Sequence, residues 1–118
     1  MLAPSEVVHA VTHVSGGGVQ QEARRVVARV AEGDSAAVGL LYDAYAQTLF
    51  TYAIRLVGNR TDAEDVVQDV FTQAWRQAAR YDAARATVVG WLLMMTRTRA
   101  LDRLRAQRLL LGRGLNDA

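Results

Sequence analysis

Apolar residues recur along most of this chain in steps of three and four, the spacing that places side chains on one face of an α-helix. The first such segment spans about residues 19–32 and precedes Gly33. Its apolar stripe consists of Ala23, Val26, Val27 and Val30. A second helix is expected from Asp34, a natural N-cap, to about Val57, where Gly58 and Asn59 end it.

The third helix has the clearest start signal. Thr61 and Glu64 have the spacing of a capping box, which predicts Thr61 as the N-cap. An unbroken apolar stripe then covers residues 63–78 at helical spacing, with a polar face opposite it. Phe71 and Trp75 lie on that stripe, and we expect both in the core.

A loop over residues 80–85 leads to the fourth helix, expected from about Thr87 to about Leu110. Residues 88–95 are apolar nearly all round, so we expect this part, including Trp91, to be buried. The chain shows no strand-like alternation and no internal repeat. The pattern therefore predicts an all-α fold, a compact bundle of about four helices.

A length of 118 residues suits one domain with a modest core. Residues 1–18 are expected to be a flexible tail, because they end in a serine followed by three glycines. The helical domain then covers residues 19–110. Residues 111–118 are expected to be a frayed end or the start of a linker.

Composition excludes several classes of function. The chain has no cysteine, and its two histidines, His9 and His13, lie together in the expected tail, so we expect no metal site and no thiol chemistry. It also lacks a glycine-rich phosphate loop, so we expect no catalytic residue, no cofactor and no enzyme activity. Neither a membrane-length apolar run nor a signal peptide is apparent, which favours the cytoplasm and excludes a membrane partner.

The net charge of +2 hides an asymmetry along the chain. Residues 1–84 contain seven Arg against ten Asp and Glu, whereas residues 85–118 contain seven Arg against two Asp. An acidic body with a basic C-terminal third indicates a polyanion partner at one end. Five Arg against one Asp between Arg97 and Arg108 exceed what a helix end needs, so phosphate contact is the economical interpretation.

Six segments in this order and spacing resemble region 2 of bacterial extracytoplasmic-function (ECF) sigma factors, the sigma-70 type initiation factors of RNA polymerase. They are residues 41–45 (LYDAY), 58–71 (GNRTDAEDVVQDVF), 74–75 (AW), 81–82 (YD), 91–92 (WL) and 97–105 (RTRALDRLR). The resemblance covers about residues 20–108. The chain stops near the point where the linker to region 4 begins in complete ECF factors, and a fragment and a natural region-2-only protein both fit this.

The resemblance implies a transcription initiation domain that binds core RNA polymerase and recognises and helps to melt the promoter −10 element. In that family the third helix contacts the clamp helices of the largest polymerase subunit. The corresponding residues here are Asp65, Gln68, Asp69, Thr72, Gln73 and Arg76.

The fourth helix and the loop before it hold the non-template strand of the −10 element in that family, and the loop captures an extruded base. The corresponding residues here are Tyr81, Asp82, Arg85, Thr87, Arg97, Arg99, Arg103 and Arg105. Gly90 and Trp91 stand where primary sigma factors have an aromatic pair, so a two-ring wedge is not expected. Thr98 stands where the family often has Asn, which weakens any assignment of a base contact there.

Two questions stay open from the residues alone. Tyr81 either stacks on an exposed base or folds back as a hydrophobic lid. The chain could also be a sigma-like interaction module that binds an anti-sigma factor without binding DNA, although such a module would not need the Arg-rich fourth helix. An anti-sigma factor is therefore a further conceivable partner.

Overall fold

A computed structural model describes the backbone of residues 16–117 and the side chains of residues 18–112. It contains four α-helices: α1 (Gly16–Ala31), α2 (Ser35–Val57), α3 (Arg60–Gln77) and α4 (Val88–Asp117). A short 3-10 turn, Ala78–Arg80, follows α3. No strand occurs between residues 16 and 117, so the prediction of an all-α bundle is confirmed. The expected tail up to residue 15, with His9 and His13, lies outside the described residues.

Helix α2 lies at the centre of the bundle and contacts the other three helices. Its buried residues Leu41, Tyr45 and Leu49 follow one another at intervals of four, as the apolar pattern predicts. They pack against the apolar stripes of α1 and α3, and the first half of α4 completes the core. Phe71 on the α3 stripe is buried, as expected. Burial of these stripes against one another supplies the main stabilisation of the fold.

The ends of α2 follow directly from local chemistry. The Asp34 carboxylate accepts a hydrogen bond from the Ala36 N–H at 3.0 Å, which confirms Asp34 as the N-cap. Gly58 closes the helix with a φ of 83°, and its N–H donates to the Ile54 carbonyl at 2.9 Å. A residue other than glycine would be strained in this left-handed conformation.

The predicted cap of α3 was wrong by two residues. Asn59, not Thr61, is the N-cap, and its side-chain oxygen accepts from the Asp62 N–H at 2.9 Å. The left-handed Gly58 ends α2 so abruptly that Asn59 is already extended and can cap the next helix. Thr61 therefore lies in the first turn, and Glu64 accepts from Arg60 Nε at 2.9 Å instead of completing a capping box.

Two helices are longer than the sequence pattern predicted. Helix α1 begins at Gly16, within the expected tail, and α4 continues to Asp117 beyond the expected end at Leu110. In α4, a single glycine such as Gly112 lowers helix propensity by only about 1 kcal/mol relative to alanine, so it need not end a helix whose neighbours favour it. The leucines and arginines before Gly112 are such neighbours.

Two residues expected in the core lie on the surface. Trp75 is 40% exposed, because it lies at the edge of the α3 stripe, where the apolar face meets the outer side of α2. Met94 is 66% exposed. Only one side of α4 packs on the bundle, so a run that is apolar all round must expose the residues on its far side.

The second half of α4 extends past the core and is attached mainly through Asp62. Up to residue 112, Ala100 is the last fully buried residue of the helix, and Leu104 packs only partly. Arg103 Nε donates to Asp62 Oδ1 at 2.9 Å, and Gln107 Nε2 donates to Asp62 Oδ2 at 2.7 Å. Arg103 Nη2 also donates to Asp65 Oδ2 at 3.0 Å. The start of α3 thereby holds the arginine-rich part of α4.

Asp62 is well suited to this junction because its side chain is only 15% exposed and is surrounded by donors. Hydrogen bonds from Asn59 and Gln107, followed by the hydrogen bond and the charge of Arg103, hold the pKa of this carboxyl below its ordinary value of 3.8. Because the folded state favours the ionised form, Asp62 stabilises the fold at pH values above 3.8. That stabilisation is lost as the pH falls further, through the pKa of the folded state.

We expect Asp62→Asn to lower the midpoint of thermal unfolding by a few degrees at pH 7, because it replaces an acceptor for Arg103 and Gln107 by an amide. The difference between wild type and Asp62→Asn should shrink once the pH falls below about 3.8 and the wild-type carboxyl begins to protonate. Asp69→Asn, an exposed carboxylate on the same helix, is the matched control and should leave the midpoint nearly unchanged. Equal midpoints for Asp62→Asn and wild type at pH 7 would exclude this role.

Candidate functional site

The loop over residues 81–87 connects the 3-10 turn to α4 and has a defined shape. Asp82 Oδ1 accepts from the Ala84 N–H at 2.9 Å, and the Asp82 carbonyl accepts from the Arg85 N–H at 3.0 Å. Thr87 Oγ1 accepts from the Gly90 N–H at 3.0 Å and thereby caps α4. Arg85 is exposed at the tip, and its Nε lies 3.7 Å from Asp82 Oδ2. Asp82 and Thr87 thus shape the loop, while Arg85 faces solvent.

Tyr81 is half-buried and folds back onto the body of the protein. Its hydroxyl donates to the Ala86 carbonyl at 2.7 Å. Its ring centroid lies 5.1 Å from that of Trp91, at an angle of 52°. Of the two interpretations left open by the sequence, this geometry favours the hydrophobic lid over a ring free to stack on a base. Trp91, which we expected in the core, is half-buried and packs against the edge of the core.

An open groove of about 570 Å³ lies between α1 and the first half of this loop. Arg24 and Val27 of α1 line one side, and residues 81–84 line the other. The groove therefore combines mostly apolar walls with two charged side chains, Arg24 and Asp82. Sequence reasoning did not place α1 beside this loop, because the two segments lie about 50 residues or more apart in the chain.

The outward side of α4 carries exposed residues at helical spacing, with steps of three, eight and three residues. We call it the basic face and define it by Met94, Arg97, Arg105 and Arg108. Arg105 Nη1 lies 3.8 Å from Asp102 Oδ1, a long contact between exposed groups that contributes little. No carboxylate among the described residues forms an ion pair with Arg97 or Arg108. These guanidinium groups are therefore free to bind an anion.

The other two predicted arginines of α4 are turned toward α3. Arg99 Nε donates to Gln73 Oε1 at 2.9 Å, and Arg103 bridges Asp62 and Asp65. A phosphate could reach Arg103 only in competition with two carboxylates. The predicted set of DNA-binding arginines therefore separates into an outward pair, Arg97 and Arg105, and an inward pair, Arg99 and Arg103.

The predicted polar face of α3 is largely one exposed surface. All but one of its predicted residues are exposed, namely Asp65, Gln68, Asp69, Thr72 and Arg76. The exception is Gln73, which is half-buried and bound to Arg99. Asp69 borders α4 and its groove, whereas Gln68 and Thr72 border α2.

Beside Gln68 and Thr72 lies an exposed pair of aromatic residues that sequence reasoning missed. We call Tyr42 and Trp75 the aromatic patch; they are 44% and 40% exposed. The Tyr42 ring packs on Phe71, with 5.0 Å between centroids, and Val38 and Gly39 complete a shallow groove of about 520 Å³. The sequence did contain a signal for an exposed ring, because Tyr42 lies outside the apolar stripe of α2.

The described residues include no candidate metal centre. Among residues 16–117, no group of three or more His, Cys, Asp or Glu side chains could hold a metal ion. Every buried side-chain nitrogen or oxygen of the described residues has a hydrogen-bond partner. No helix in the described part of the chain has the length and apolarity needed to cross a membrane.

Comparison with known proteins gives consistent matches. Residues 41–109, which cover most of α2, α3, the 81–87 loop and two-thirds of α4, match the family model Sigma-70 region 2. The ECF RNA polymerase sigma factor SigK of Mycobacterium ulcerans is 28% identical over 90 residues, 76% of this chain and 48% of that protein.

Two further relatives carry the same description. SigK of Mycobacterium bovis is 32% identical over 79 residues, 67% of this chain and 42% of that protein. SigK of Mycolicibacterium vanbaalenii is 32% identical over 89 residues, 75% of this chain and 45% of that protein. This chain thus spans less than half the length of these relatives. On the match to most of its helical bundle, the chain belongs to the sigma-70 region 2 family, a domain of transcription initiation factors and not of enzymes.

Proposed function

We propose that this chain is the part of an ECF sigma factor that binds core RNA polymerase and the −10 element of promoters. The exposed side of α3 with the aromatic patch binds the clamp helices of the largest subunit. The 81–87 loop and the basic face of α4 bind the non-template strand. The observation that carries the proposal is the separation of these two surfaces, one acidic with exposed aromatic rings and one rich in arginine, on neighbouring helices.

The aromatic patch supports the polymerase half of this proposal. Large aromatic side chains are costly to expose, and tryptophan and tyrosine are enriched among the residues that dominate binding energies at protein interfaces. Trp75 and Tyr42 lie next to Gln68 and Thr72, which supply hydrogen-bonding groups around the rings. Asp69, exposed on the α4 side of the same helix, adds a negative charge that would attract a basic partner helix over a distance.

The basic face supports the DNA half. Arg97, Arg105 and Arg108 recur along one side of α4 over about 17 Å of helix, and each can reach a phosphate without breaking a buried ion pair. Met94 lies at the start of the same face, next to the loop, and offers an apolar contact for a base or sugar. We assign Arg103 and Arg99 to holding this face in place.

Melting would depend on capturing one base and not on wedging the strands apart. No pair of rings is available to wedge the strands apart, because Gly90 has no side chain and Trp91 is packed against Tyr81. The groove between α1 and residues 81–84 is our candidate site for the extruded base. Removing a base from a duplex costs a few kcal/mol, and the cost is much smaller for a single strand. A module of this kind would therefore favour DNA that is already partly open.

The alternative function, binding an anti-sigma factor without binding DNA, could use the aromatic patch equally well. It gives no role to the basic face of α4, so we place it second. An anti-sigma factor can still be a further partner of the proposed module. A bacterial protein that binds promoters on the chromosome acts in the cytoplasm, so we propose that location for this chain.

We expect Trp75→Ala to weaken binding to core RNA polymerase about tenfold or more, the range of an aromatic hot-spot residue. Binding can be measured by fluorescence anisotropy of the labelled chain titrated with core enzyme. The thermal midpoint should change far less than for Phe71→Ala, which removes a buried ring and should cost about 3–5 kcal/mol. Unchanged core binding, together with a loss of stability as large as that of Phe71→Ala, would place Trp75 in the core and refute the docking surface.

We expect Arg105→Ala to weaken the binding of single-stranded oligonucleotides of every sequence to a similar extent. The slope of log affinity against log salt should become shallower by about 0.7, the value for one phosphate contact on a single strand. Arg103→Ala is the matched comparison: it should lower the thermal midpoint while leaving the salt slope nearly unchanged. The measurement uses the chain bound to core polymerase. The opposite pattern, with the slope changed only by Arg103→Ala, would exchange the roles assigned to these arginines.

A further inference from the structure

One side-chain amide on α1 holds both ends of the 81–87 loop. Gln20 Nε2 donates to the Tyr81 hydroxyl at 2.8 Å, and Gln20 Oε1 accepts from the Val88 N–H at 3.1 Å. Tyr81 begins the loop, and Val88 is the first residue after it. A single planar group from a distant helix therefore fixes the distance between the two ends of the loop.

The Val88 N–H needs this partner. The first N–H groups of a helix have no partner within the helix, and Val88 is fully buried. The cap residue Thr87 uses its side-chain oxygen for the Gly90 N–H and not for Val88. Without Gln20, a buried donor would be left unsatisfied, and the start of α4 would have to move to reach water or another acceptor.

The Tyr81 hydroxyl likewise forms hydrogen bonds both as an acceptor and as a donor. It accepts from Gln20 and donates to the Ala86 carbonyl, near the other end of the loop. The ring cannot rotate away without losing its contact with Trp91 as well. The chain of bonds from Val88 through Gln20 and Tyr81 to Ala86 closes the loop, and Ala84 and Arg85 remain exposed at its tip.

We propose that Gln20 is a positioning residue for base recognition: it sets the shape of the 81–87 loop through Tyr81 and Val88 and does not itself touch DNA. This inference rests on the proposed role of the loop at the −10 element. Gln20 lies on α1, outside residues 41–109 that match the family model. Part of the sequence preference would then be determined by a residue that makes no direct contact with the bases.

The test compares Gln20→Ala with Gln21→Ala, the exposed neighbouring glutamine on the same helix. Each variant, bound to core RNA polymerase, is used to select from a library of non-template-strand oligonucleotides randomised over the −10 positions. Hydrogen exchange of the loop and of the Val88 amide is measured on the free 118-residue chain. Tyr81→Phe, which keeps the ring and removes only the hydroxyl, is a second variant in case Gln20→Ala unfolds.

We expect Gln20→Ala and Tyr81→Phe to lose preference at one position by about twofold to tenfold, the range for one hydrogen bond. Gln20→Ala should also speed exchange at Val88, while Gln21→Ala behaves as wild type. Overall affinity for core polymerase should not change. If Gln20→Ala matches Gln21→Ala in both measurements, the inference is wrong although the proposed function stands. If wild type enriches no sequence at all, the proposed function fails and this inference fails with it.

Discussion

The hydrogen-bonded junction at Asp62 is the interaction on which the arrangement of the two surfaces depends. A 30-residue helix is about 45 Å long, whereas Ala100 is the last fully buried residue among its described side chains, which extend to residue 112. Beyond that point Arg103 and Gln107 bind one carboxylate at the start of α3, and Asn59 caps that same turn while donating to the same carboxylate. One acidic side chain thus joins the start of the proposed polymerase-binding helix to the proposed DNA-binding helix, and it fixes the direction in which the basic face points.

This junction explains why opposite charges can lie on adjacent helices without cancelling each other. Arg103 pairs with Asp62 and Asp65, the two acids of α3 that face it, so these charges compensate each other between the helices. Asp69 stays open on the side of α3, and Arg97 and Arg108 stay open on the far side of α4. A protein that must contact a basic protein surface and a polyanion at the same time requires such a separation. The loop before α4 is fixed independently, by α1.

The number, order and kind of helices could be predicted from the sequence because apolar periodicity reports burial directly, as at Leu41, Tyr45 and Leu49. The errors have physical causes. Trp75 and Met94 were placed in the core because periodicity gives the direction of a side chain but not how far the neighbouring helix extends over it. The capping-box pattern predicted Thr61 as the N-cap because such a pattern takes no account of where the preceding helix stops. The roles of Gln20 and Asp62 depend on partners more than 40 residues away, which no local pattern contains. Helical spacing already places Arg99 and Arg103 on one face of α4 and Arg97 and Arg108 on another, but which face turns toward α3 depends on such distant partners.

The most direct test of two separate surfaces is oxidative footprinting of exposed side chains, read by mass spectrometry. Trp75 and Tyr42 report on the aromatic patch, Met94 reports on the basic face, and all three are exposed in the free chain. Core RNA polymerase alone should protect Trp75 and Tyr42 from hydroxyl radicals and leave Met94 reactive. Addition of a single-stranded −10 oligonucleotide that the complex binds should then protect Met94. Protection of Met94 by core polymerase alone, with Trp75 still reactive, would contradict the account.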